Sequence, residues 1–394
     1  MLLEAFGPGL LWFLLPVAAA SGWLIAKREQ QGQAGSGAKK LSRDYFRGID
    51  YVLNEQPDRA IEVFINMLDV DSETVETHLA LGNLFRRRGE VDRAIRIHQN
   101  LIARPNLVKE QRGLAVLELG KDYMGSGLLD RAESLFRELL ELGMYKSEAL
   151  QYLVNIYQQE QDWEKAVEVT RELSSETGVN TSSSIAHFYS EQADTQVGQG
   201  NLRQAAALVK EALKVDPSCV RASLAAGQIA MTEGRFEEAI LAFRRVEQQD
   251  GDFLPEAIHP LVACYREVGR LDELVAYLHK VADNHAGITP VLVLAELAAE
   301  RGDLDQAIKY IDTELRQRPS VRGLDRMVEY SLAQARDEGR DNLVVLREFT
   351  SELLADSSVY QCRDCGFTGK SLHWQCPSCK NWNSVKPIHG IAGE

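Results

Sequence analysis

The pattern of hydrophobic and polar residues divides this chain into an uncharged N-terminal run, a long repeated region and a cysteine-rich C-terminal segment. The run from Ala5 to Ala26 has no charged side chain, and as one helix it is long enough to cross the ~30 Å hydrocarbon core of a bilayer. Trp12 and Trp23 lie near its ends, where amphipathic rings favour the membrane interface. We therefore predict a transmembrane anchor within residues 1–26.

Positive charge follows this run and does not precede it. Lys27 and Arg28 come directly after it. Basic flanking residues stay on the cytoplasmic side, so we expect a single pass with the body of the protein in the cytoplasm. A signal peptide cleaved after Ala18–Ala20, or a buried helix, is the alternative interpretation. Residues 27–43 are interpreted as a basic juxtamembrane tether, and the Gln, Gly and Ser residues within 29–40 predict that this part is flexible.

A repeated pattern of helix pairs occupies residues 44–356. One small residue recurs at spacings close to the 34 residues of tetratricopeptide repeats. The positions are Ala60, Ala94, Ala132, Ala166, Ala205, Ala239 and Ala307, with Leu274 once in their place. We expect the small residues to let the two helices of a pair approach closely, and large residues four positions later to fill the space between pairs. The pattern predicts a mainly α-helical solenoid of about eight to nine pairs, with residues 324–354 as a capping pair.

The repeated region shows no catalytic motif. It has no Gly-rich phosphate loop after a strand, no GxSxG and no HExxH, so we expect no enzymatic activity. His98 stands where sister repeats carry Phe, which indicates a core residue and not a ligand. Cys219 and Cys264 are interpreted as buried thiols.

Charge narrows the classes of ligand. The chain has 44 Lys and Arg against 58 Asp and Glu, a formal net charge of −14. Nucleic acid is bound mainly through basic charge, so we expect no nucleic-acid partner. Residues 44–359 carry −19, residues 27–43 carry +4 and residues 360–394 carry +2, with Glu4 as the remaining charge. The acidic residues are interpreted as a solvated helix face, with an acidic groove for a basic protein as the alternative.

Residues 357–394 contain four of the six cysteines in the pattern C-x2-C-x10-C-x2-C. The four are Cys362, Cys365, Cys376 and Cys379. Each C-x2-C pair places two thiolates on one turn, and two such turns close a tetrahedron around one metal ion. A module of about 35 residues is too small to fold by burial alone, and a structural metal can contribute roughly 10–16 kcal/mol. Iron and zinc suit four thiolates equally, and a redox dithiol and two disulfides are the alternatives.

The surroundings of the cysteines predict a small β module. Gly366 suits a turn with positive φ, and we expect a β-hairpin to link the two cysteine pairs. The apolar residues expected to cover the metal are Phe367, Leu372, Trp374, Trp382 and Ile388. Because only a few residues separate the last helix from Cys362, we expect the module to pack against the last repeats.

Both cysteine pairs resemble those of rubredoxin. Tyr360-x-Cys362-x-x-Cys365-Gly366-Phe367 matches the first pair, and Cys376-Pro377-Ser378-Cys379 begins like the second. Lys380 then replaces the usual Gly, and the spacer is shorter, which weakens an assignment to electron transfer.

The whole chain resembles the lipopolysaccharide assembly protein B family of Gram-negative bacteria. The most specific stretches are LLPVAAASGW, LGNLFRRRGEVDRAIRIHQNL and CGFTGKSLHWQCPSC followed by KPI. The resemblance implies a non-enzymatic inner-membrane adaptor with a cytoplasmic body. It would bring the deacetylase of the lipid A pathway to an FtsH-type membrane protease, and so regulate lipopolysaccharide biosynthesis. It also implies contacts with other lipopolysaccharide-assembly membrane proteins, and the four cysteines carry over as metal ligands.

Two other functions stay open on the sequence. One is a rubredoxin-like electron-transfer protein, and the other is a general lipopolysaccharide-assembly scaffold without a link to proteolysis. A homodimer is compatible with a solenoid, and the sequence does not indicate which solenoid face binds which partner.

Overall fold

The computed structural model describes residues 36–54, 56, 59, 60, 63, 75–105, 107–285, 287–336, 339–391, 393 and 394. The predicted anchor, residues 1–26, lies outside the described residues. No helix in the described part of the chain is both long and apolar enough to cross a membrane. The chain divides into two compact units, Met1–Ile156 and Tyr157–Glu394.

Helix α1, Ser36–Leu53, begins inside the predicted tether. The prediction of a flexible segment is wrong for residues 36–40, and residues 29–35 lie outside the described residues. Tyr45, Ile49 and Val52 share one face of α1 and pack against the core of the first repeats. Because helix growth adds one hydrogen bond per residue once a turn exists, this packed face supports further turns on its N-terminal side.

The first unit contains the opening helix pairs of the solenoid. Its helices after α1 are α2 (Val75–Arg87), α3 (Val91–Ile102), α4 (Lys109–Gly125), α5 (Leu129–Glu141) and α6 (Lys146–Glu160), the last of which continues into the second unit. Helix α2 contacts α3 and α4, and α4 contacts α5. This is the connectivity that the 34-residue period predicts.

The second unit contains the remaining helix pairs. They are α7 (Trp163–Thr177), α8 (Ser182–Gly198), α9 (Leu202–Val215), α10 (Val220–Thr232), α11 (Phe236–Gln249), α12 (Leu254–Glu267), α13 (Leu271–Asn284), α14 (Thr289–Glu300), α15 (Leu304–Gln317), α16 (Val321–Gln334) and α17 (Arg340–Asp356). The first helices of successive pairs, α8, α10, α12, α14 and α16, contact one another and form an inner layer. Helices α16 and α17 confirm the predicted capping pair.

The consensus small residues lie inside the helix pairs. All seven alanines and Leu274 are fully buried. Within a pair, the ring of Phe136 lies over Gly120, and that of Phe243 lies over Gly227. Phe136 also stacks on Tyr152 at a centroid distance of 5.0 Å. The large residues therefore pack within a pair as well as between pairs, which the sequence analysis did not anticipate.

The structure confirms the prediction that His98 is a core residue. It is fully buried, its ring covers Gly82, and its Nδ1 lies 2.5 Å from Asp122 Oδ2. Asp122 also pairs with Arg86 at 2.8 Å, so the polar ring has a charged network beside it. Cys219 and Cys264 are buried as predicted, and burial raises the pKa of the Cys264 thiol to about 11.

The C-terminal module is a small antiparallel sheet. Its strands are β1 (Tyr360–Cys362), β2 (Thr368–Gly369) and β3 (Val385–Pro387), in the order β2-β1-β3. Tyr360 pairs with Gly369 on one side and with Pro387 on the other. The protein is thus a mainly helical tetratricopeptide solenoid with a small C-terminal strand module.

The contact between ring and glycine can be tested on one helix. A Cβ at position 120 would lie 2.6 Å from Phe136, whereas at position 125 its nearest neighbour is 3.8 Å away. We expect Gly120→Ala to destabilise the protein by about 1–3 kcal/mol through overpacking. Gly125→Ala is the matched control and should be neutral, or stabilising by at most about 1 kcal/mol. Thermal unfolding followed by circular dichroism measures both, and equal midpoints would contradict the packing argument.

Candidate metal centre

Each cysteine pair lies in the turn of its own strand pair. In the first pair, Cys362 ends β1 and Cys365 lies in the turn before β2. The second pair lies within the bridge that joins Gln375 to Trp382. The prediction that one hairpin links the two pairs is therefore wrong. Each cysteine turn is closed by hydrogen bonds within its own segment; in the second turn the Cys376 N–H donates to Asn381 O at 2.9 Å. The spacer between the two turns is then too short to form a complete hairpin.

Two residues adopt the left-handed backbone that these turns require. Gly366 has φ 78°, which confirms its prediction. Lys380 has φ 62° and occupies the equivalent place in the second turn, where rubredoxins carry the usual Gly. The departure from rubredoxin at position 380 therefore preserves the backbone conformation, although an L side chain adopts it less readily.

The four predicted ligands meet at one point. Their sulfur atoms all lie within 4.8 Å of one another. The Sγ atoms of Cys362 and Cys379 are 3.7 Å apart, and those of Cys365 and Cys376 are 3.6 Å apart. A regular tetrahedron with metal–sulfur bonds of about 2.3 Å has edges of about 3.8 Å. The cysteines therefore fit one tetrahedral metal ion, and the distances suit zinc and iron alike.

The pKa values of two of the four thiols are shifted in opposite directions. Burial opposes the Cys362 thiolate, but hydrogen bonding with the Ser384 hydroxyl and with the local backbone N–H groups outweighs it and lowers the pKa to about 6. The Asn381 N–H favours the Cys379 thiolate, yet burial and the shared hydrogen bonds of the other three thiols raise its pKa to about 12. Like charges this close disfavour one another, so all four can ionise together only beside a cation.

Fewer apolar residues cover the cysteines than predicted. Val385, Tyr360 and Phe367 pack around the buried sulfur atoms. The two tryptophans of the module turn towards the repeats. Trp374 packs on Phe253 at 5.3 Å between ring centroids, and Trp382 stacks on His187 at 5.0 Å. The expectation that Leu372, Trp374 and Trp382 cover the metal is wrong, because their apolar area is buried against the solenoid.

Polar contacts fix the same interface. Trp382 Nε1 donates to Gln158 Oε1 at 2.9 Å, and Tyr360 Oη donates to Glu256 Oε1 at 2.5 Å. Lys386 Nζ lies 2.8 Å from Asp250 and 3.0 Å from Asp252. Burial disfavours the charged form of Lys386, but these two carboxylates outweigh it and raise the pKa of the lysine.

A second polar anchor lies near the end of the module. Glu394 Oε1 accepts a hydrogen bond of 2.8 Å from Thr289 Oγ1 at the start of α14, and the same carboxylate pairs with Arg322 of α16. Contacts of the module therefore run from α6 to α16 along the inner layer. The prediction that the module packs against the last repeats is confirmed at α14 and α16. Its contacts also extend back to α6, because long-range contacts and not chain proximity decide its position.

The docked module closes a cavity of about 330 Å³ against the repeats. Leu372 and Trp374 line one side, and Phe243 of α11 and Pro260 of α12 line the other. Arg221 of α10 also lines it and is held by Glu191 at 2.7 Å and Asp194 at 2.6 Å.

Sequence reasoning missed the partners of the module, chiefly His187, Phe253 and Gln158. One signal was available, since a short tail with two tryptophans has more aromatic area than its own core can bury. That signal indicates a docking surface without saying where on the repeats it lies.

The ligand set predicts the metal content of the protein. We expect one metal ion per chain, and Cys376→Ser should reduce this to near zero, because three thiolates no longer fill the tetrahedron. Cys264→Ala is the matched control, since that thiol is buried in the core of the repeats and is not one of the four clustered cysteines. Elemental analysis by mass spectrometry measures the metal, and visible absorption separates iron from colourless zinc. Full occupancy in Cys376→Ser would refute the site.

His187 predicts an acid-sensitive interface. Burial, and secondarily Arg221, lower its pKa to about 3. When the pH falls below about 6.5, the ordinary pKa of histidine, His187 is protonated in the unfolded chain but stays neutral in the folded protein. The free energy of unfolding therefore falls by about 1.4 kcal/mol for each further pH unit. His187→Phe keeps a ring for the stack and removes this titration. The stability of the wild type relative to His187→Phe, from urea unfolding, should therefore fall between pH 6.5 and 5, and a constant difference would contradict the assignment.

Comparison with known families agrees with both parts of the fold. The family described as rubredoxin metal binding domain matches residues 360–387. Tetratricopeptide repeat families match residues 77–110, 190–252 and 290–308. The match to a solved tetratricopeptide repeat protein from Parabacteroides merdae covers 71% of this chain and 100% of that protein, at 13% identity and a TM-score of 0.32.

Two characterised relatives match the chain nearly from end to end. Lipopolysaccharide assembly protein B of Escherichia coli is 39% identical over 386 residues, which cover 98% of this chain and 99% of the relative. The protein of the same name from Haemophilus influenzae is 36% identical over 389 residues, which cover 96% and 98%. With the repeats and the four-cysteine module both in place, this chain belongs to the lipopolysaccharide assembly protein B family.

Proposed function

We propose that this protein is a membrane-anchored, non-enzymatic adaptor that regulates lipopolysaccharide biosynthesis. Its solenoid would bind the deacetylase of the lipid A pathway and present it to an FtsH-type protease in the inner membrane. The segment 1–26, which is uncharged from Ala5 to Ala26, would provide the anchor, with the repeats and the metal module in the cytoplasm. Other lipopolysaccharide-assembly membrane proteins are the further partners.

The observation that carries this proposal is the position of the metal module on the inner layer. Solenoids bind proteins on extended surfaces formed by stacked helices. Here the module adds its own side chains to that surface, and Leu372 and Trp374 share a cavity with α10, α11 and α12. A partner bound there would contact repeats and module together, so metal binding would control the shape of the binding surface.

Several features support an adaptor over an enzyme. In the described part of the chain, the one cluster of potential metal ligands is the set of four cysteines, which fills its own coordination sphere. Such closed sites are structural, whereas catalytic metals keep an open position. The names of the relatives support the pathway, since both are called lipopolysaccharide assembly proteins.

Electron transfer is the second candidate function, and one observation favours it. Cys365 is exposed and Cys379 is half-buried, so one side of the cluster faces solvent and an electron could reach it. Bound iron that is reduced and reoxidised reversibly, with a matching change in visible absorption, would support this function. Zinc in the purified protein would eliminate it.

The adaptor function is tested by the stability of the deacetylase in cells that lack their own copy of this protein. We expect the wild-type chain to shorten the half-life of the deacetylase. The double variant Cys362→Ser/Cys365→Ser should lose this effect, because without metal the module cannot hold its place on the inner layer. Cys219→Ala, which leaves the four ligands intact, is the matched control and should act like the wild type.

The anchor is tested separately by deletion of residues 1–26. Confinement to the membrane raises the effective concentration of a bound substrate near the protease, so the deletion should slow deacetylase turnover by at least about ten-fold. Unchanged turnover would support a general scaffold without a link to proteolysis. Crosslinking in cells, scored for protease and deacetylase together, separates loss of partner binding from loss of localisation.

A further inference from the structure

Helix α17 presents an apolar stripe to solvent. Val345, Phe349 and Leu353 are spaced four residues apart, and they are 49%, 61% and 63% exposed. The opposite face of α17 already packs on α16, where Thr350 bonds to Asp325 at 2.7 Å. Residues spaced by four on a helix form one continuous row, so this stripe is a surface ready for a partner.

Acidic side chains border the stripe on one side. Glu348 and Glu352 are exposed and border the stripe on the helical wheel, with Asp341 about two turns before Glu348 on the same side. The stripe therefore fits a surface that is apolar at its centre and basic at its edge. An anionic membrane surface does not meet this requirement, because it would repel the carboxylates.

A groove with the complementary character lies between α9 and α11. It has a volume of about 580 Å³. Helices α9 and α11 form its two walls and α10 forms its floor. The apolar lining residues include Val209, Leu213, Ile229, Ala230, Leu241 and Ala242. Lys210 and Arg245 line opposite sides, and both are exposed. This basic border is unusual in a solenoid region whose net charge is −19.

The sister repeats show that this groove is a local departure from the repeat pattern. Leu241 stands two residues after the consensus alanine and is 68% exposed. The residues at that position in the other repeats are Glu62, Arg96, Ser134, Glu168, Ala207, Ala276 and Lys309. Arg245, four residues later on the same face, replaces the Glu138, Glu172 and Glu211 of three sister repeats. Packing of the repeat itself therefore requires neither residue.

We propose that α17 of one copy docks into the α9–α11 groove of a second copy, so that the protein forms a homodimer through this contact. The exposed stripe from Val345 to Leu353 and the α9 wall from Ala206 to Lys214 are each nine residues long, about 12 Å of helix from first to last Cα. Phe349 lies against Leu241, and the α17 carboxylates face Lys210 and Arg245. Each copy contributes one helix and one groove, so a two-fold arrangement makes the contact twice and closes.

The test uses two complementary charge reversals in the full chain, purified in detergent. The groove variant carries Lys210→Glu with Arg245→Glu, and the helix variant carries Glu348→Lys with Glu352→Lys. Sedimentation equilibrium should show a dimer for the wild type, and each variant alone should dissociate with a Kd at least ten-fold higher. An equal mixture of the two variants should regain the dimer, because both contacts of the mixed pair again join opposite charges.

Two further variants separate this interface from others. Leu241→Asp should weaken the dimer as much as Phe349→Asp does, since each removes one side of the same contact. Arg203→Glu is the matched control, because Arg203 is an exposed residue of α9 that does not line the groove. It should leave the dimer unchanged. A monomeric wild type, a dimer insensitive to the groove variant, or a mixture that stays dissociated would each overturn the proposal.

Discussion

Mutual repulsion among four thiolates is the constraint on which the C-terminal half of this structure depends. With all four sulfur atoms within 4.8 Å of one another, the cluster needs a cation before every ligand can ionise. The module has three strands of two or three residues each and little apolar interior. Its tryptophans are buried against the repeats and contribute nothing to a separate core. The metal therefore holds the fold of the module, while the solenoid determines its position.

The docked module changes how the second unit is held together. In a solenoid each repeat contacts its neighbours, so stability is close to a sum of nearest-neighbour terms. Here Trp382 reaches Gln158 of α6, and Glu394 reaches Thr289 of α14. These contacts join helix pairs that do not touch each other directly. Loss of the module should therefore destabilise helix pairs throughout the inner layer and not the last repeat alone.

The two layers of the second unit have become specialised in different ways. First helices supply the inner layer and its buried polar contacts, such as Arg221 with Glu191 and Asp194. The second helices of the pairs have a solvent-exposed face, and in most of them the residues on that face are polar. Helices α11 and α17 depart from this rule at Leu241 and Phe349. Departures within a repeated pattern are informative, because the sister repeats show what folding alone requires.

Local sequence by itself determined the helix pairs, their small buried residues, the capping pair and the four metal ligands. These follow from short-range rules, since a 34-residue period and a C-x2-C turn each specify their own geometry. The tertiary structure alone decided that Lys380 can replace Gly, that α1 extends into the predicted tether, and that the tryptophans face the repeats. It also decided that the module lies along α6 to α16. The positions of the module and its tryptophans depend on contacts between residues as many as 224 positions apart. The physical reason is that burial of apolar area favours any surface that fits, whatever its distance along the chain.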